Sequence, residues 1–179
     1  MAHTCQELGT MLWRTVGARA ENGQQAGTVA LGSWHKQLFV AMQKGTVLEF
    51  DELKNRLYEE CERIQKPVKT IANAREITNR GMRVSEWTGK HAEMMVLYAM
   101  RQVIPGARLQ DACIAANAQL CYFCANMLTR LGAKGGGLTV QGLQLARGPR
   151  SLTGWWNPVN DTVYGNGSPE WTQELPGGP

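Results

Sequence analysis

No stretch of this chain approaches the roughly 20 consecutive apolar residues that a membrane-spanning helix needs, so no span is expected. Residues 1–10 are polar and lack a basic region followed by an apolar run, so no secretory leader is expected. The abrupt start also fits the excised C-terminal domain of a longer protein. Dense clusters of lysine and arginine are missing too. The net charge of +4 and pI near 8.9 favour a polyanion without demanding one. No G-x-x-x-x-G-K-[ST] occurs, so Gly135–Gly137 are expected to form a turn, not a phosphate cradle. Internal repeats and low-complexity tracts are likewise missing. Cysteines number five, an odd count that argues against a disulfide framework and for a reducing compartment. Cys121 and Cys124 stand three apart, a spacing that suits a metal clip or a redox pair.

What is present is a globular composition. Apolar residues make up 43% and charged residues 19%, which excludes a disordered polar chain. At 179 residues the chain suffices for a single domain, 1–179, with a core over about 27–146 and a wrapping segment over 147–179. Leu8, Met11, Leu12 and Val16 predict an amphipathic helix over 4–19. Two β-compatible runs, 27–33 and 37–43, predict a hairpin turning at Trp34–Lys36. Phe50, Leu53, Leu57, Cys61 and Ile64 mark one face of a helix that Pro67 stops. Residues 68–88 predict a short helix and then a loop leading to His91. From Lys90 to Val103 the pattern is helical and, between Met94 and Met100, almost wholly apolar, so this helix must lie buried on a sheet. A strand over 108–116, a helix over Cys121–Leu131 and a strand over 137–146 follow. The tail holds Trp155, Trp156 and Trp171 among Gly, Pro and Asn and predicts coil wrapped over the body. Strands alternating with helices imply an α/β fold, a three-layer α/β/α sandwich with a central mixed sheet.

Two motifs carry chemistry, His91-Ala92-Glu93 and Cys121-Tyr-Phe-Cys124, each at a predicted helix start. Loops at the carboxyl ends of parallel strands collect at one sheet edge, so the two can meet. Cys121 and Cys124 share a helical face as i and i+3. His91 and Glu93 are about 200° apart in a regular helix, so they share a site only beyond the helix end. Three protein ligands leave a tetrahedral zinc one position for water, as a catalytic site requires. Two thiolates cancel the ion's charge and weaken it as a Lewis acid, while two helix N-termini push the other way and lower the thiol pKa. A carboxylate at Glu93 would then move protons from water to a ring nitrogen and a leaving amine.

Structural readings stand beside this one. A structural zinc needs a fourth protein ligand, for which Cys113, Cys61 and His35 are candidates, and a redox pair needs none. Cys113, taken as mid-strand, and Cys61 are otherwise expected in the core. His3 and His35 are expected at the surface or in turns. Tyr122 and Phe123 suit stacking on a base or packing inward equally. Trp155 and Trp156 are expected to pack the tail, with a substrate lid as the alternative.

The order H-x-E, strand, C-x-x-C resembles the zinc-dependent nucleoside and nucleobase deaminases over roughly residues 27–146. The Gly-Lys-His-Ala-Glu approach and the tryptophan-containing tail look most like the bacterial toxin-type (YwqJ-like) branch. The resemblance implies a cytidine-deaminase-like fold, with His91, Cys121 and Cys124 as zinc ligands and Glu93 as proton shuttle. It also implies the Ala92 backbone amide as a contact for the base carbonyl and Asn79 as a contact for the sugar. Leu120 replaces the usual proline, and Asn117-Ala-Gln-Leu120 the usual threonine-x-glutamate-proline, which leaves that wall of the site undefined. The implied activity is hydrolysis of cytosine to uracil, preferred to adenine because the toxin-type branch is rich in cytosine deaminases. The implied substrate is single-stranded DNA before RNA, supported by Lys90, Arg80 and Arg83 just ahead of or beside the motif. The enzyme is expected to act as a monomer in the cytoplasm, with room for an origin as the excised domain of a secreted effector. A deaminase of free nucleosides or bases and a non-catalytic zinc-stapled binding domain are the alternatives.

Overall fold

Thr4 sets the first helix, α1 (Cys5–Thr15): its hydroxyl accepts from the Glu7 N–H, and the Glu7 carboxylate accepts from the Thr4 N–H. This computed structural model describes residues 2–18, 27–43, 48–81, 90–104, 109–139, 142–144 and 154–164. Strands β1 (Val29–Trp34) and β2 (Gln37–Met42) form the expected antiparallel hairpin, with His35 in the left-handed region at its turn. Helix α2 (Phe50–Arg63) buries Leu53, Leu57 and Cys61.

The segment expected as helix and loop differs. It opens with a strand, β3 (Thr70–Asn73), parallel to β2, and then α3 (Ala74–Gly81). Ile71 is the only fully buried residue of that four-residue edge strand, too little to write an alternating pattern in the sequence. Residues 82–89, the remainder of the expected loop but for Lys90, lie outside the described residues.

Helix α4 (Ala92–Val103) buries almost every residue from Ala92 to Met100. It lies close on the sheet because Gly32 of β1 has no side chain: a Cβ there would stand 2.5 Å from both Val96 and Met100. A short 3₁₀ turn (Leu109–Asp111) precedes β4 (Cys113–Ala116), which is shorter than the expected strand over 108–116. Helix α5 (Tyr122–Arg130) follows, then β5 (Lys134–Thr139) and β6 (Gly142–Gln144).

Gly135–Gly137 are therefore strand, not turn. Their glycines permit a close backbone approach that no side chain would allow. A Cβ on Gly137 would stand 2.1 Å from the Ala118 carbonyl and 2.7 Å from the Leu120 nitrogen. Gly137→Ala is expected to cost about 1–3 kcal/mol by forcing the 118–120 segment away from β5. A denaturation midpoint equal to that of the wild type would contradict this account of the glycines.

The six strands form one mixed sheet in the order β3-β2-β1-β4-β5-β6. β1 runs antiparallel to both neighbours, while β2–β3 and β4–β5 pair in parallel. The carboxyl ends of β2, β3, β4 and β5 thus share one edge with the start of β1. Side chains alternate between two cores. Val29, Leu31, Leu38, Val40 and Ala115 face α1 and α2, and Ala30, Phe39, Ala41, Ile114 and Ala116 face α3, α4 and α5. The result is a three-layer α/β/α sandwich.

The tail expected as coil contains a small hairpin, β7 (Trp156–Asn157) with β8 (Thr162–Val163). Trp155 and Trp156 are wholly buried in the core beneath α4 and α5, so they pack the tail. Trp171 lies outside the described residues. No described helix is long and apolar enough to cross a membrane.

Candidate metal centre and active site

Both motifs cap helices at the shared sheet edge. His91 is the N-cap of α4, with extended backbone (φ −71°, ψ 146°), so its imidazole stands off the helix tip. Cys121 is the N-cap of α5, and its sulfur accepts from the Cys124 N–H at 3.4 Å. The strand β4 that separates them in sequence brings the two tips together.

The structure places His91 Nδ1 3.6 Å from Cys121 Sγ and 3.3 Å from Cys124 Sγ. The ligand atoms of these residues all lie within 4.8 Å of one another. A tetrahedral ion with Zn–S near 2.3 Å and Zn–N near 2.0–2.1 Å separates nitrogen from sulfur by about 3.6 Å. The two nitrogen–sulfur edges of the triangle therefore fit an ion of that size. Among the described residues no fourth histidine or cysteine joins the group. Cys61 lies in the core on the opposite face of the sheet, and Cys113 opens β4 at its far end.

Glu93, in the first turn of α4, is 5% exposed and places Oε1 3.6 Å from His91 Nδ1. Burial pushes its carboxyl up, but hydrogen bonds and charge from His91, with a bond from Cys124, outweigh this and hold it below the usual carboxylate range. Burial pushes His91 down, yet Cys121 and Glu93 raise it to about 9. Hydrogen bonding from Cys124, against burial and with help from His91, lowers the Cys121 thiol to about 4. Burial raises Cys124. One imidazole, two sulfurs and a carboxylate thus share one buried spot, a donor set that suits a cation.

Beside these groups lies a polar cavity of about 160 Å³, lined by Thr28, Gln43, His91, Glu93, Ala118, Gln119 and Cys121. It is smaller than the roughly 300–1,000 Å³ of drug-sized sites and suits one small ring. Thr28 and Gln43 were not foreseen. Gln43 follows β2 at the shared edge; its Oε1 accepts from the Thr28 N–H and its Nε2 donates to the Lys90 carbonyl. Its place just beyond the carboxyl end of a strand parallel to β4 is the signal that could have singled it out. Larger cavities, one lined by Trp13 and Leu143 and one by Tyr98 and Val159, contain no cysteine or histidine.

Ala92 is the first residue of α4, where helical N–H groups have no intrahelical acceptor. Asn79 is not among the described residues lining the cavity; its Oδ1 accepts from Lys90 Nζ at 3.3 Å. Lys90 is itself buried, 5.3 Å from the Trp156 ring centre, so it points inward and does not present a surface charge. Arg80 is exposed and Arg83 lies outside the described residues. Asn117 is buried in a structural role, accepting from the Val29 N–H and donating to the Gly17 carbonyl. Leu120 and Phe123 pack inward, and Tyr122 is half-buried.

Two expectations away from the site are corrected. His3, expected at the surface, is buried because its N–H donates to Ser33 Oγ, pulling the chain start onto β1. Cys113 is half-buried at the head of its strand, not mid-strand in the core, and it hydrogen-bonds Cys5, which with Lys134 lowers its thiol to about 7 despite burial.

No protein-family model, curated protein or solved structure gives a significant match to this chain.

Proposed function

We propose that this protein is a zinc-dependent hydrolytic deaminase acting on a nucleobase, most closely a cytosine in single-stranded nucleic acid. The observation that carries the proposal is the convergence of His91, Cys121 and Cys124 at two helix tips with the Glu93 carboxylate beside them. The donor set of one imidazole and two thiols suits zinc, which when bound lowers the pKa of water to about 7 and so supplies a nucleophile at neutral pH.

The chain's own groups account for the proton movements. Glu93, ionised and shielded from solvent, takes a proton from the attacking water and delivers it to the ring nitrogen. It then takes the second proton from that oxygen, now bonded to the ring carbon, and gives it to the exocyclic amine, whose carbon–nitrogen bond breaks as the carbonyl forms. Water and amine become carbonyl and ammonia, and the carboxylate returns to its starting state. Thr28, Gln43 and Gln119 line the cavity with the polar edges a base needs, and the first-turn amide of Ala92 is the candidate contact for its carbonyl. The cavity admits a single ring, so a base inside a duplex must leave its stack, at a cost of a few kcal/mol that a single strand avoids.

The test compares ammonia and uracil formation from cytidine, single-stranded oligonucleotide and duplex at matched cytosine concentration over a salt series. Faster turnover of the single strand is expected, weakening as salt rises because phosphate contacts release counterions. Preference for free cytidine without salt dependence would instead favour a nucleoside deaminase. Zinc uptake without turnover of any of them would favour a binding domain.

A further inference from the structure

Cys124 has one neighbour that the deaminase chemistry does not use. The indole N–H of Trp155 donates to Cys124 Sγ at 3.4 Å, and both residues are wholly buried. Trp155 is held in that pose by three contacts to two residues. Its ring packs on Phe123 with centroids 5.6 Å apart and stacks on Tyr164 at 6.2 Å and 12°. Its carbonyl accepts from the Tyr164 N–H at 3.2 Å, closing the base of the β7–β8 hairpin.

We infer that Trp155 is a positioning residue of the metal centre: its N–H shares the charge of the Cys124 sulfur, ties the C-terminal hairpin to the ligand set and strengthens metal binding. The inference rests on the metal site proposed above. Two thiolates would leave a bound zinc with little net charge. An N–H donated to one sulfur withdraws electron density from it and leaves the ion a stronger Lewis acid, in the same direction as the two helix ends. The same bond stabilises sulfur as thiolate, the form that binds metal. A hydrogen bond to a charged sulfur in a buried place also orients the ligand, and partners of this kind alter metal affinity by about 10–100-fold.

The hairpin offers its own control. Trp156 donates its indole N–H to Asp161 Oδ1 at 2.9 Å and lies beneath Lys90, so it anchors the same hairpin without touching sulfur. Trp155→Phe and Trp156→Phe remove the same ring volume from the buried hairpin, but only the first removes the donor to sulfur. Zinc affinity is measured by chelator competition on the full chain, and cobalt(II) substitution reports the sulfur-to-metal charge-transfer band.

Trp155→Phe is expected to weaken zinc binding about 10–100-fold and to move that band to lower energy, since the sulfur becomes more electron-rich. Trp156→Phe is expected to leave both near wild type. Equal effects from the two variants overturn the inference in favour of simple packing. Wild-type affinity and spectrum in Trp155→Phe overturn it as well, with the metal site left standing. A wild-type chain that takes up neither zinc nor cobalt removes the site itself, and the inference with it.

Discussion

Replacing Glu93 by glutamine is expected to lower deamination by at least about 10²–10⁴-fold while zinc content and thermal midpoint stay near wild type. Glutamine matches glutamate in size, so a side chain only 5% exposed is exchanged without opening a cavity. What disappears is the ability to accept a proton. In the wild type a carboxylate beside a bound cation stays ionised at neutral pH and can take up a proton from water. The amide has no such form. Ammonia release and zinc stoichiometry are measured on the same preparation, and comparable turnover in the variant would refute the proton-shuttle role.

The second large effect concerns the ligands. The wild type is expected to hold about one zinc per chain, and Cys121→Ala and Cys124→Ala each to lose most of it, since two remaining ligands make a poor tetrahedral site. They are also expected to forfeit the stabilisation that metal gives, about 4 kcal/mol at a thousandfold excess of ion over its dissociation constant. Acid should do the same reversibly to the wild type. Ligands bind metal only when deprotonated. Without metal His91 titrates at about 9 and Cys124 is raised, so at pH 7 ion uptake displaces a proton from each. Affinity therefore falls as pH falls, and zinc retained after dialysis across a pH series checks the sign. Full zinc occupancy in both cysteine variants would remove the assignment.

The residues with reactive side chains were the legible part of the site. His91, Glu93, Cys121 and Cys124 announce themselves because their chemistry is rare and their spacing local, and the buried pattern of α4 told that the first pair opens a helix on a sheet. Thr28 and Gln43 were hidden because a polar residue beyond a strand looks like any loop residue until strand order is known. The same lack of topology turned Gly135–Gly137 into an expected turn. Glycine weakens strands by propensity, and its presence in β5 is explained by the nearness of the Ile114 carbonyl to Gly135 and of Ala118 and Leu120 to Gly137. β3 was missed for a different reason, since a four-residue edge strand with one buried side chain carries no period. Lys90 misled by type: a lysine reads as surface charge, yet Asn79 and Trp156 draw it inward.

The spacing of the two helix tips along the chain bears on the unfolded state. His91 and Cys121 are 30 residues apart, with β4 between them. An ion gripped by both acts as a cross-link across that loop, and in the chain-entropy picture a closure of this length removes freedom worth about 3–4 kcal/mol from the unfolded ensemble. Loss of either end restores that freedom. The loop spans α4, the 3₁₀ turn and β4, so the staple falls on the central segment of the sandwich, and a chain that kept its ion through denaturation would arrive at a polymer tied in its middle.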